Sequence, residues 1–487
     1  MIFSKCIKIS MLLMLTNFSV YGQGYDIKVK INGLSDTTVI LGHYLSKSMY
    51  PDDTVRLDKK GSGTLTGKKK LPLGMYLLLL PNSNYFDIII GEDQLFSLES
   101  DTAQFLETLK FSGSEENQIF LDFQKYMSSM RKQADSLTLL IRNEKDSRIK
   151  SQLSAELRNL YDTRSLQIEK INQEHPDLYI STFLKATVDI KVPDPPKDEK
   201  GNIKDSLWQY YYYRHHFFDN LDISDVRLLR TPFFEDQIIR YISQILPQIP
   251  DTLITETDKL IESSRSDSSL FRYMLITLFN HFGKSNIMGM DAVTVHLAEK
   301  YYLPESWWSD EKYLTDLKER IEKEKPLLLG KVAPDMELME VPAEHFKSAA
   351  ADTSLKRYPH VGAKINMHSL TAKYLVLVFW EADCGHCKVA VPELYKIYKE
   401  SLQPLGVKVL AISTLFGEDG KIKWIDFVNE NGLYDWSNTW NPYSYDFKLK
   451  YDILTTPQIY ILNEKKEIMA KKIGSEQVLD IIKTLSR

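Results

Sequence analysis

One stretch near the C-terminus, Tyr374–Pro392 (YLVLVFWEADCGHCKVAVP), constrains the fold more than any other part of the chain. Its continuous apolar run, Tyr374–Trp380, is typical of a strand buried on both faces of a mixed or parallel sheet. A short turn, Glu381–Asp383, separates this strand from Cys384-Gly385-His386-Cys387 and a segment with helical spacing. The sequence therefore predicts a strand–turn–helix unit whose helix begins at Cys384, with the second cysteine one turn along.

Two cysteines at this spacing form a candidate redox pair. The unpaired N–H groups and the positive dipole end of a helix N-terminus favour thiolate over thiol. His386 lies between the cysteines, and as an imidazolium it would stabilise the thiolate and make the dithiol more oxidising. Asp383 acts in the opposite direction, because a like charge disfavours the thiolate. The redox direction of the pair therefore does not follow from the sequence.

The N-terminus has the pattern of a cleaved secretory signal. Two lysines precede the apolar run Ile9–Val20, which is too short to span a bilayer and is followed by small residues. Removal of residues 1–23 removes Cys6 and leaves Cys384 and Cys387 as the remaining cysteines. In an exported protein, a single cysteine pair one turn apart indicates redox chemistry rather than a structural disulfide.

Composition and ligand spacing exclude several other classes of function. The net charge is −5 over 487 residues, and the chain has no long Lys/Arg run. These features do not indicate a nucleic-acid-binding surface. Apart from the signal, no segment is apolar enough to span a membrane. Metal sites are not expected, because the CxxC motif lacks a second cysteine pair and His215-His216 lack further ligands at suitable spacing.

The length predicts about three domains. After the signal, residues 24–112 form a predicted β-rich domain, in which short alternating or apolar runs such as Ile27–Ile31 are separated by turn signals. Pro51-Asp52 and the segment Gly61–Lys68 are both predicted to be turns. Short strands at this spacing predict a small sandwich or barrel.

Residues 113–322 are predicted to form a helical domain. Ser112 or Ser114 can cap its first helix. The apolar stripe of the first two helices fits an αα-hairpin, or alternatively a coiled coil through which the chain oligomerises. Farther along, Asp291 is predicted to cap the helix that carries His296.

Residues 323–487 are predicted to form an α/β domain. After the strand–turn–helix unit come a strand at Val407–Thr414, a helix at Asp419–Asn431 and a short helix near Tyr443–Lys450. Strands at Gln458–Leu462 and Glu467–Ile473 and a closing helix from Ser475 follow. A βαβ unit with an antiparallel pair and a final helix is the thioredoxin arrangement. The predicted fold class is multidomain: an N-terminal all-β domain, a middle all-α region and a C-terminal thioredoxin fold.

The C-terminal domain resembles the thioredoxin-like domain of exported TlpA/ResA-type thiol–disulfide oxidoreductases. The residues that carry this resemblance are Gly330–Asp335, Phe379-Trp380, the CGHC motif, Pro392 and Thr456-Pro457. The whole architecture is similar to proteins of Gram-negative bacteria that join a β-rich domain of unknown function and a helical domain to a thioredoxin-like domain. In the helical domain the similar stretch is Asn286–Tyr302.

This resemblance implies a role for individual residues. Cys384 would be the attacking cysteine and Cys387 the resolving one, with their disulfide as the redox group and no other cofactor. Pro457 would be a cis-proline that faces the disulfide, and Thr456 would offer backbone groups to an extended substrate segment. The implied partners are protein disulfides and dithiols and a membrane-linked electron donor, and the implied location is the periplasm or cell envelope.

The chain departs from these families where they place an acid or a tryptophan. Asp383 stands where thioredoxin has Trp, and Val378 and Ala390 stand where thioredoxin and the ResA-like proteins have acidic residues. At the positions where these two families have the acid that would accept the Cys387 proton, this chain therefore has no acid. Glu381 is the candidate replacement, although an exposed turn carboxylate is the simpler interpretation.

Four functions are considered, and the first two use the same residues. A reductase or general disulfide oxidoreductase of the cell envelope is the first interpretation, and a disulfide isomerase or oxidase is the second. A peroxiredoxin would need Thr or Ser three residues before the reactive cysteine, where this chain has Glu381. The remaining alternative is a non-catalytic binding or scaffold protein with a vestigial redox domain.

Overall fold

The structure is a computed structural model that describes residues 24–81, 84–357, 362–441, 444 and 446–486. The predicted signal segment, residues 1–23, lies outside the described residues. The chain forms two compact units that divide between Ile238 and Ile239. The predicted boundaries at residues 112 and 322 stay predictions.

The first unit begins with two four-stranded sheets. Their strands are β1 (Tyr25–Asn32), β2 (Thr38–Leu45), β3 (Ser48–Arg56), β4 (Ser62–Gly67), β5 (Gly74–Leu79), β6 (Tyr85–Ile90), β7 (Leu95–Asp101) and β8 (Lys110–Ser112). The strand orders are β4-β1-β7-β8 and β3-β2-β5-β6. Alternate residues of each sheet, such as Ile27 and Val29 from one and Val39 and Leu41 from the other, share one buried core. The predicted β-rich fold is confirmed as a sandwich.

Two predicted turns in this sandwich are wrong. Pro51 and Asp52 lie inside β3, where Pro51 is opposite Gly42 beside a bulge. Since β3 is the outer strand of its sheet, its proline can lie where no ladder donor is needed. The segment Gly61–Lys68 is mostly β4, and Gly61, with φ of 75°, ends the turn before it.

Helices follow the sandwich in the first unit, and the last of them crosses the boundary between the units. They are α1 (Phe105–Thr108), α2 (Glu115–Asn143), α3 (Ser147–Glu174), α4 (Tyr179–Ala186), α5 (Trp208–His216) and α6 (Phe234–Arg240). Ser114 caps α2 by accepting a hydrogen bond from the Asn117 N–H at 3.4 Å. α2 and α3 form the predicted αα-hairpin, in which Tyr126 donates a hydrogen bond to Thr163. Oligomerisation through this hairpin stays a prediction.

The second unit also begins with helices. They are α7 (Pro250–Ser263), α8 (Ser268–Gly283), α9 (Asp291–Leu297), α10 (Leu303–Glu305) and α11 (Glu311–Glu324). Asp291 is the first residue of α9 and not its cap, which corrects the prediction. Its carboxylate instead accepts a hydrogen bond from the buried Lys471 ammonium. Ion pairing with a distant lysine has replaced the local capping bond.

The rest of the second unit is a seven-stranded sheet with helices. Its strands are β9 (Glu337–Glu340), β10 (Ala363–Asn366), β11 (Tyr374–Trp380), β12 (Val407–Ser413), β13 (Ser437–Trp440), β14 (Gln458–Asn463) and β15 (Ile468–Lys471). Its helices are α12 (Ala343–Ala351), α13 (Cys387–Ile397), α14 (Gly417–Asn431), α15 (Asp446–Lys450) and α16 (Val478–Leu485). The strand order is β10-β9-β13-β12-β11-β14-β15.

The strand that leads to the dithiol, β11, lies inside this sheet. It runs parallel to β12 and antiparallel to β14, and all seven of its residues are buried. Val376 and Val378 face one apolar core, whereas Leu375 and Leu377 face another. The predicted thioredoxin fold is confirmed, and β9, β10 and β13 are additions to it that were not predicted.

Across the described residues, no helix has both the length and the apolar character needed to cross a membrane.

Candidate active site

The dithiol lies directly after the buried strand β11. The Cys384 N–H donates to the Glu381 carbonyl at 3.2 Å, which closes the turn. α13 begins at Cys387 rather than at Cys384 as predicted, because the residues between the cysteines form a turn. The Lys388 N–H nevertheless donates to the Cys384 carbonyl at 3.1 Å, the spacing of a first helical hydrogen bond. Both sulfurs therefore lie at the positive end of the helix.

The two thiols have opposite environments. Burial works against ionisation of Cys384, but hydrogen bonds from Cys387, His386 and Thr456 hold the pKa of Cys384 below its ordinary value. Burial raises the pKa of Cys387, which is fully buried, to about 12. Cys384 is therefore the thiol that ionises more readily, and Cys387 is the one that keeps its proton.

The loop before β14 lies against the attacking sulfur. The Thr456–Pro457 peptide bond is cis, as the resemblance implies. The Thr456 carbonyl oxygen lies 3.3 Å from Cys384 Sγ, and the Thr456 side chain lowers the pKa of both thiols by hydrogen bonding. The sheet thus brings Cys384 and Thr456, 72 residues apart in the chain, into direct contact.

Glu381 is held beside the dithiol, but its carboxylate points to other partners. Its backbone N–H donates to Cys387 Sγ at 3.5 Å. Its carboxylate accepts a 2.7 Å hydrogen bond from the Thr414 hydroxyl and lies 3.5 Å from Lys448 Nζ. The side chain is 28% exposed, so it is neither the free surface carboxylate of the simpler interpretation nor a buried acid.

The charges next to the dithiol are partly compensated. Asp383 pairs with Lys423 on α14 at 2.9 Å, and this hydrogen bond lowers the pKa of Asp383. The negative charge that would oppose the Cys384 thiolate is therefore matched by a lysine. His386 is the exposed N-cap residue of α13, and its side chain makes no capping hydrogen bond.

Sequence reasoning missed Thr414, Lys423 and Lys448. Thr414 follows the end of β12, the neighbour of β11, and polar residues at that edge of a parallel pair commonly belong to sites. That position was a usable signal. The two lysines lie on α14 and α15, and no local pattern connects them with Asp383 or Glu381.

The fold and the asymmetric dithiol define a thioredoxin-like protein of the thiol–disulfide oxidoreductase class. Residues 330–471 match the model of the AhpC/TSA family, and residues 25–120 match a domain of unknown function, DUF4369. The C-terminal domain is thus thioredoxin-like, of the kind that the AhpC/TSA family model describes. The comparison with curated proteins gave no match.

Solved structures from Cytophaga and Bacteroides species are similar to parts of the chain. A domain of a possible thiol-disulfide isomerase from Cytophaga hutchinsonii is 29% identical, with a TM-score of 0.27, over 33% of this chain and 95% of that chain. A thioredoxin-like protein from Bacteroides caccae is 19% identical, with a TM-score of 0.41, over 61% of this chain and 99% of that chain. A thiol-disulfide oxidoreductase from Bacteroides fragilis is 24% identical, with a TM-score of 0.25, over 32% of this chain and 99% of that chain.

Proposed function

We propose that this protein is a cell-envelope thiol–disulfide oxidoreductase that reduces or exchanges disulfides of exported proteins through Cys384 and Cys387. The observation that carries the proposal is the difference between the two thiols. Cys384 is partly exposed with a lowered pKa, whereas Cys387 is fully buried with a pKa raised to about 12. One sulfur is thus prepared to attack a substrate disulfide and the other is protected from doing so.

The reaction proceeds by two thiol–disulfide exchanges. The Cys384 thiolate attacks one sulfur of a substrate disulfide, forming a mixed disulfide and releasing the other substrate sulfur as a thiolate. Cys387 then loses its proton and attacks Cys384 Sγ, which releases the second substrate thiolate. The substrate gains two electrons and the enzyme is left with a Cys384–Cys387 disulfide. Both released thiolates take up protons, one from Cys387 by way of its proton acceptor and one from water.

Three neighbours support these steps. Thr456 stabilises the Cys384 thiolate by hydrogen bonding, and its backbone next to Pro457 offers an edge to an extended substrate segment. The backbone of His386 stabilises the same thiolate by hydrogen bonding, which tunes the pKa of Cys384 downward. Glu381 is the proposed acceptor of the Cys387 proton once the mixed disulfide has formed. Its backbone N–H lies 3.5 Å from Cys387 Sγ, and its carboxylate would have to turn from Thr414 and Lys448 towards that sulfur to take the proton.

Isomerase or oxidase activity with the same dithiol is the second candidate. The Lys423–Asp383 pair favours it, because a compensated Asp383 opposes the thiolate less, and a stabilised thiolate makes the dithiol more oxidising. A peroxiredoxin is disfavoured, since Glu381 occupies the position of the required hydroxyl side chain. A scaffold with a vestigial redox domain would not need two thiols with opposite pKa shifts.

The location and the electron supply complete the proposal. The N-terminal signal pattern supports export to the periplasm of a Gram-negative cell. An exported dithiol that acts as a reductase must be reduced again after each turnover, so a membrane-linked dithiol donor is the proposed partner.

The test is turnover of a protein disulfide with the two single-cysteine variants. We expect wild-type protein to reduce or exchange the disulfides of an oxidised test protein, and Cys384→Ser to be inactive. Cys387→Ser should accumulate a mixed disulfide that dithiothreitol releases. If the wild type is as inactive as Cys384→Ser towards both reduction and exchange, the scaffold alternative takes the place of this proposal.

A further inference from the structure

Four large apolar side chains near the dithiol are unusually exposed to solvent. Leu454, Val389, Leu449 and Phe416 are 83%, 71%, 69% and 65% exposed, and no other large apolar side chain among the described residues exceeds 62%. All four belong to the second unit. A group of exposed apolar side chains on a soluble protein marks an interaction site. These four residues are called the dithiol patch below.

Two members of the dithiol patch lie on the segments that hold the sulfurs. Leu454 precedes Thr456 by two residues, and the Thr456 carbonyl oxygen lies 3.3 Å from Cys384 Sγ. Val389 is the third residue of α13, the helix that begins at Cys387. Because two residues span at most about 7 Å of chain, both side chains are attached close to the dithiol.

The other two members lie next to the partners of Glu381. Phe416 follows Thr414 by two residues, and the Thr414 hydroxyl donates to the Glu381 carboxylate at 2.7 Å. Leu449 follows Lys448, whose Nζ lies 3.5 Å from Glu381 Oε1 and 5.8 Å from the centre of the Phe416 ring. The dithiol patch therefore has members on α13, on α15, in the loop after β12 and in the loop before β14.

The reaction determines what covers the dithiol patch. In the proposed mechanism Cys384 Sγ forms a bond of about 2.05 Å to a substrate sulfur. The residues on either side of that substrate sulfur must then lie over the segments that carry the patch. An extended chain along the Thr456–Pro457 edge also directs alternate side chains towards the protein. The occupant is therefore the polypeptide segment that contains the disulfide under attack.

The charged side chains beside the dithiol give little preference for a charged substrate. Asp383 pairs with Lys423 at 2.9 Å, and Glu381 lies 3.5 Å from Lys448. Each carboxylate is thus matched by a cation, and partly exposed charges of this kind contribute little because water screens them. Contact with the exposed apolar side chains is therefore the larger source of selectivity at this site.

We infer that the dithiol patch selects disulfides whose half-cystines are flanked by large apolar side chains. Folded soluble proteins bury most of their large apolar side chains, so the substrate class is polypeptide whose disulfide-bearing segment is not folded. Disulfides flanked by polar residues on a folded surface, and small-molecule disulfides without apolar groups, lack this contact. The inference rests on the proposed function and adds a substrate class to it.

The test compares two uncharged disulfide peptides of equal length as substrates. Leucine flanks each half-cystine in the apolar peptide, and serine takes its place in the polar one. Wild-type protein should have a kcat/KM for the apolar peptide at least about tenfold higher, because several side chains are covered. Leu454→Ser and Leu449→Ser should each reduce this preference roughly three- to tenfold, the effect of covering half of one leucine side chain.

Two controls make the test specific. Leu166→Ser is the matched variant, since Leu166 is a leucine of similar exposure on α3 in the first unit, and it should keep the full preference. Alkylation of Cys384 by a small reagent reports on the dithiol itself. Its pH dependence should be the same in Leu454→Ser as in the wild type, because the substitution leaves Thr456 in place.

The outcomes separate this inference from the proposed function. A wild-type preference that both patch variants reduce and Leu166→Ser keeps would support the inference. Equal kcat/KM values for the two peptides, or a preference that both patch variants keep, would overturn it while the proposed function stands. A wild-type dimer that Leu454→Ser dissociates without changing the preference would also overturn it, because the patch would then join two copies. Turnover of neither peptide by the wild type would contradict the proposed function itself.

Discussion

Cys384 Sγ lies 3.3 Å from the carbonyl oxygen of Thr456, the residue whose peptide bond to Pro457 is cis. The hydroxyl side chain of the same threonine lowers the pKa of both thiols. In the proposed function, one residue would thus present a backbone edge to the substrate and stabilise negative charge on sulfur. Thr456 would then couple substrate position to thiolate reactivity.

Replacing Thr456 by valine should raise the pKa of Cys384. The hydroxyl stabilises the thiolate, so its loss should move the pKa upward by about one pH unit, the effect of one hydrogen bond to a charged group. The pH dependence of Cys384 alkylation measures this shift in a Cys387→Ser background. Thr455→Val is the matched control, because Thr455 is the exposed neighbour and should leave the pH profile unchanged. Equal profiles for all three proteins would refute the role of the hydroxyl.

The pair Asp383–Lys423 should tune the same thiolate in either direction. Lys423→Met leaves Asp383 uncompensated and should raise the pKa of Cys384 by a few tenths of a pH unit, since both partners are exposed. Asp383→Asn removes the negative charge and should lower that pKa. Lys399→Met is the control, because Lys399 pairs with Asp435 instead. Shifts of the same sign in the Lys423 and Asp383 variants would contradict this electrostatic account.

Glu381→Gln should slow the second exchange and leave the first unchanged. Loss of a positioned base costs about 10²- to 10⁴-fold in a step that depends on it. Stopped-flow measurement of mixed-disulfide decay follows the second exchange, and alkylation of Cys384 reports the first. The control is Glu418→Gln, since Glu418 also lies near a cation, Arg357, but is not in contact with the dithiol. If mixed-disulfide decay is as fast in Glu381→Gln as in the wild type, Glu381 is not the proton acceptor.

Alkylation of the reduced wild-type protein should modify one cysteine. Because its pKa is lowered, Cys384 forms the reactive thiolate at a lower pH than an ordinary thiol does. Cys387 stays protonated up to pH 9 because burial raises its pKa to about 12. Mass spectrometry should therefore find the label on Cys384 in native protein and on both cysteines after denaturation. Fast labelling of Cys387 in native protein would contradict its burial.

Asn117 should be important for the stability of the first unit. Its fully buried amide accepts a hydrogen bond from the Ile89 N–H at 2.8 Å and donates to the Ile89 carbonyl at 2.7 Å. Asn117 thus pairs α2 with the outer strand β6. Asn117→Ala should lower the free energy of unfolding by about 2–4 kcal/mol, because two buried backbone groups lose their partner. Urea unfolding measures the loss, and the exposed Gln118→Ala should change it little.

The parts of the fold that follow from short-range pattern were predictable. Local residue spacing predicts the buried run Tyr374–Trp380, the cap Ser114 and the order of the last strands. The structure confirms these three predictions. Pro51 was misjudged because its place depends on which strand lies at the outside of a sheet, a property of the assembled sandwich. β13 was missed because four residues are too few to show a period.

In the candidate site, too, local features were predictable and long-range contacts were not. The two cysteines and Thr456-Pro457 are apparent from motifs, and their contact follows from the fold that those motifs imply. The partners of Glu381 and Asp383 are not apparent from motifs. Thr414, Lys448 and Lys423 contact these two carboxylates from other elements of the fold. Asp291 shows the same limit, since its bond to Lys471 joins residues 180 positions apart. Long-range ion pairs carry no local sequence signal.

A redox titration of the mature protein shows whether Cys384 and Cys387 form a working redox pair. The protein is equilibrated in glutathione and dithiothreitol buffers, and the Cys384–Cys387 disulfide is quantified by alkylation, with Cys384→Ser as control. We expect one reversible two-electron transition, about 30 mV per tenfold change in the ratio of oxidised to reduced protein, that the control lacks. A midpoint near −270 mV would indicate a reductase, and one between about −180 and −120 mV an isomerase or oxidase. If the pair never cycles between dithiol and disulfide, the protein is not a thiol–disulfide oxidoreductase.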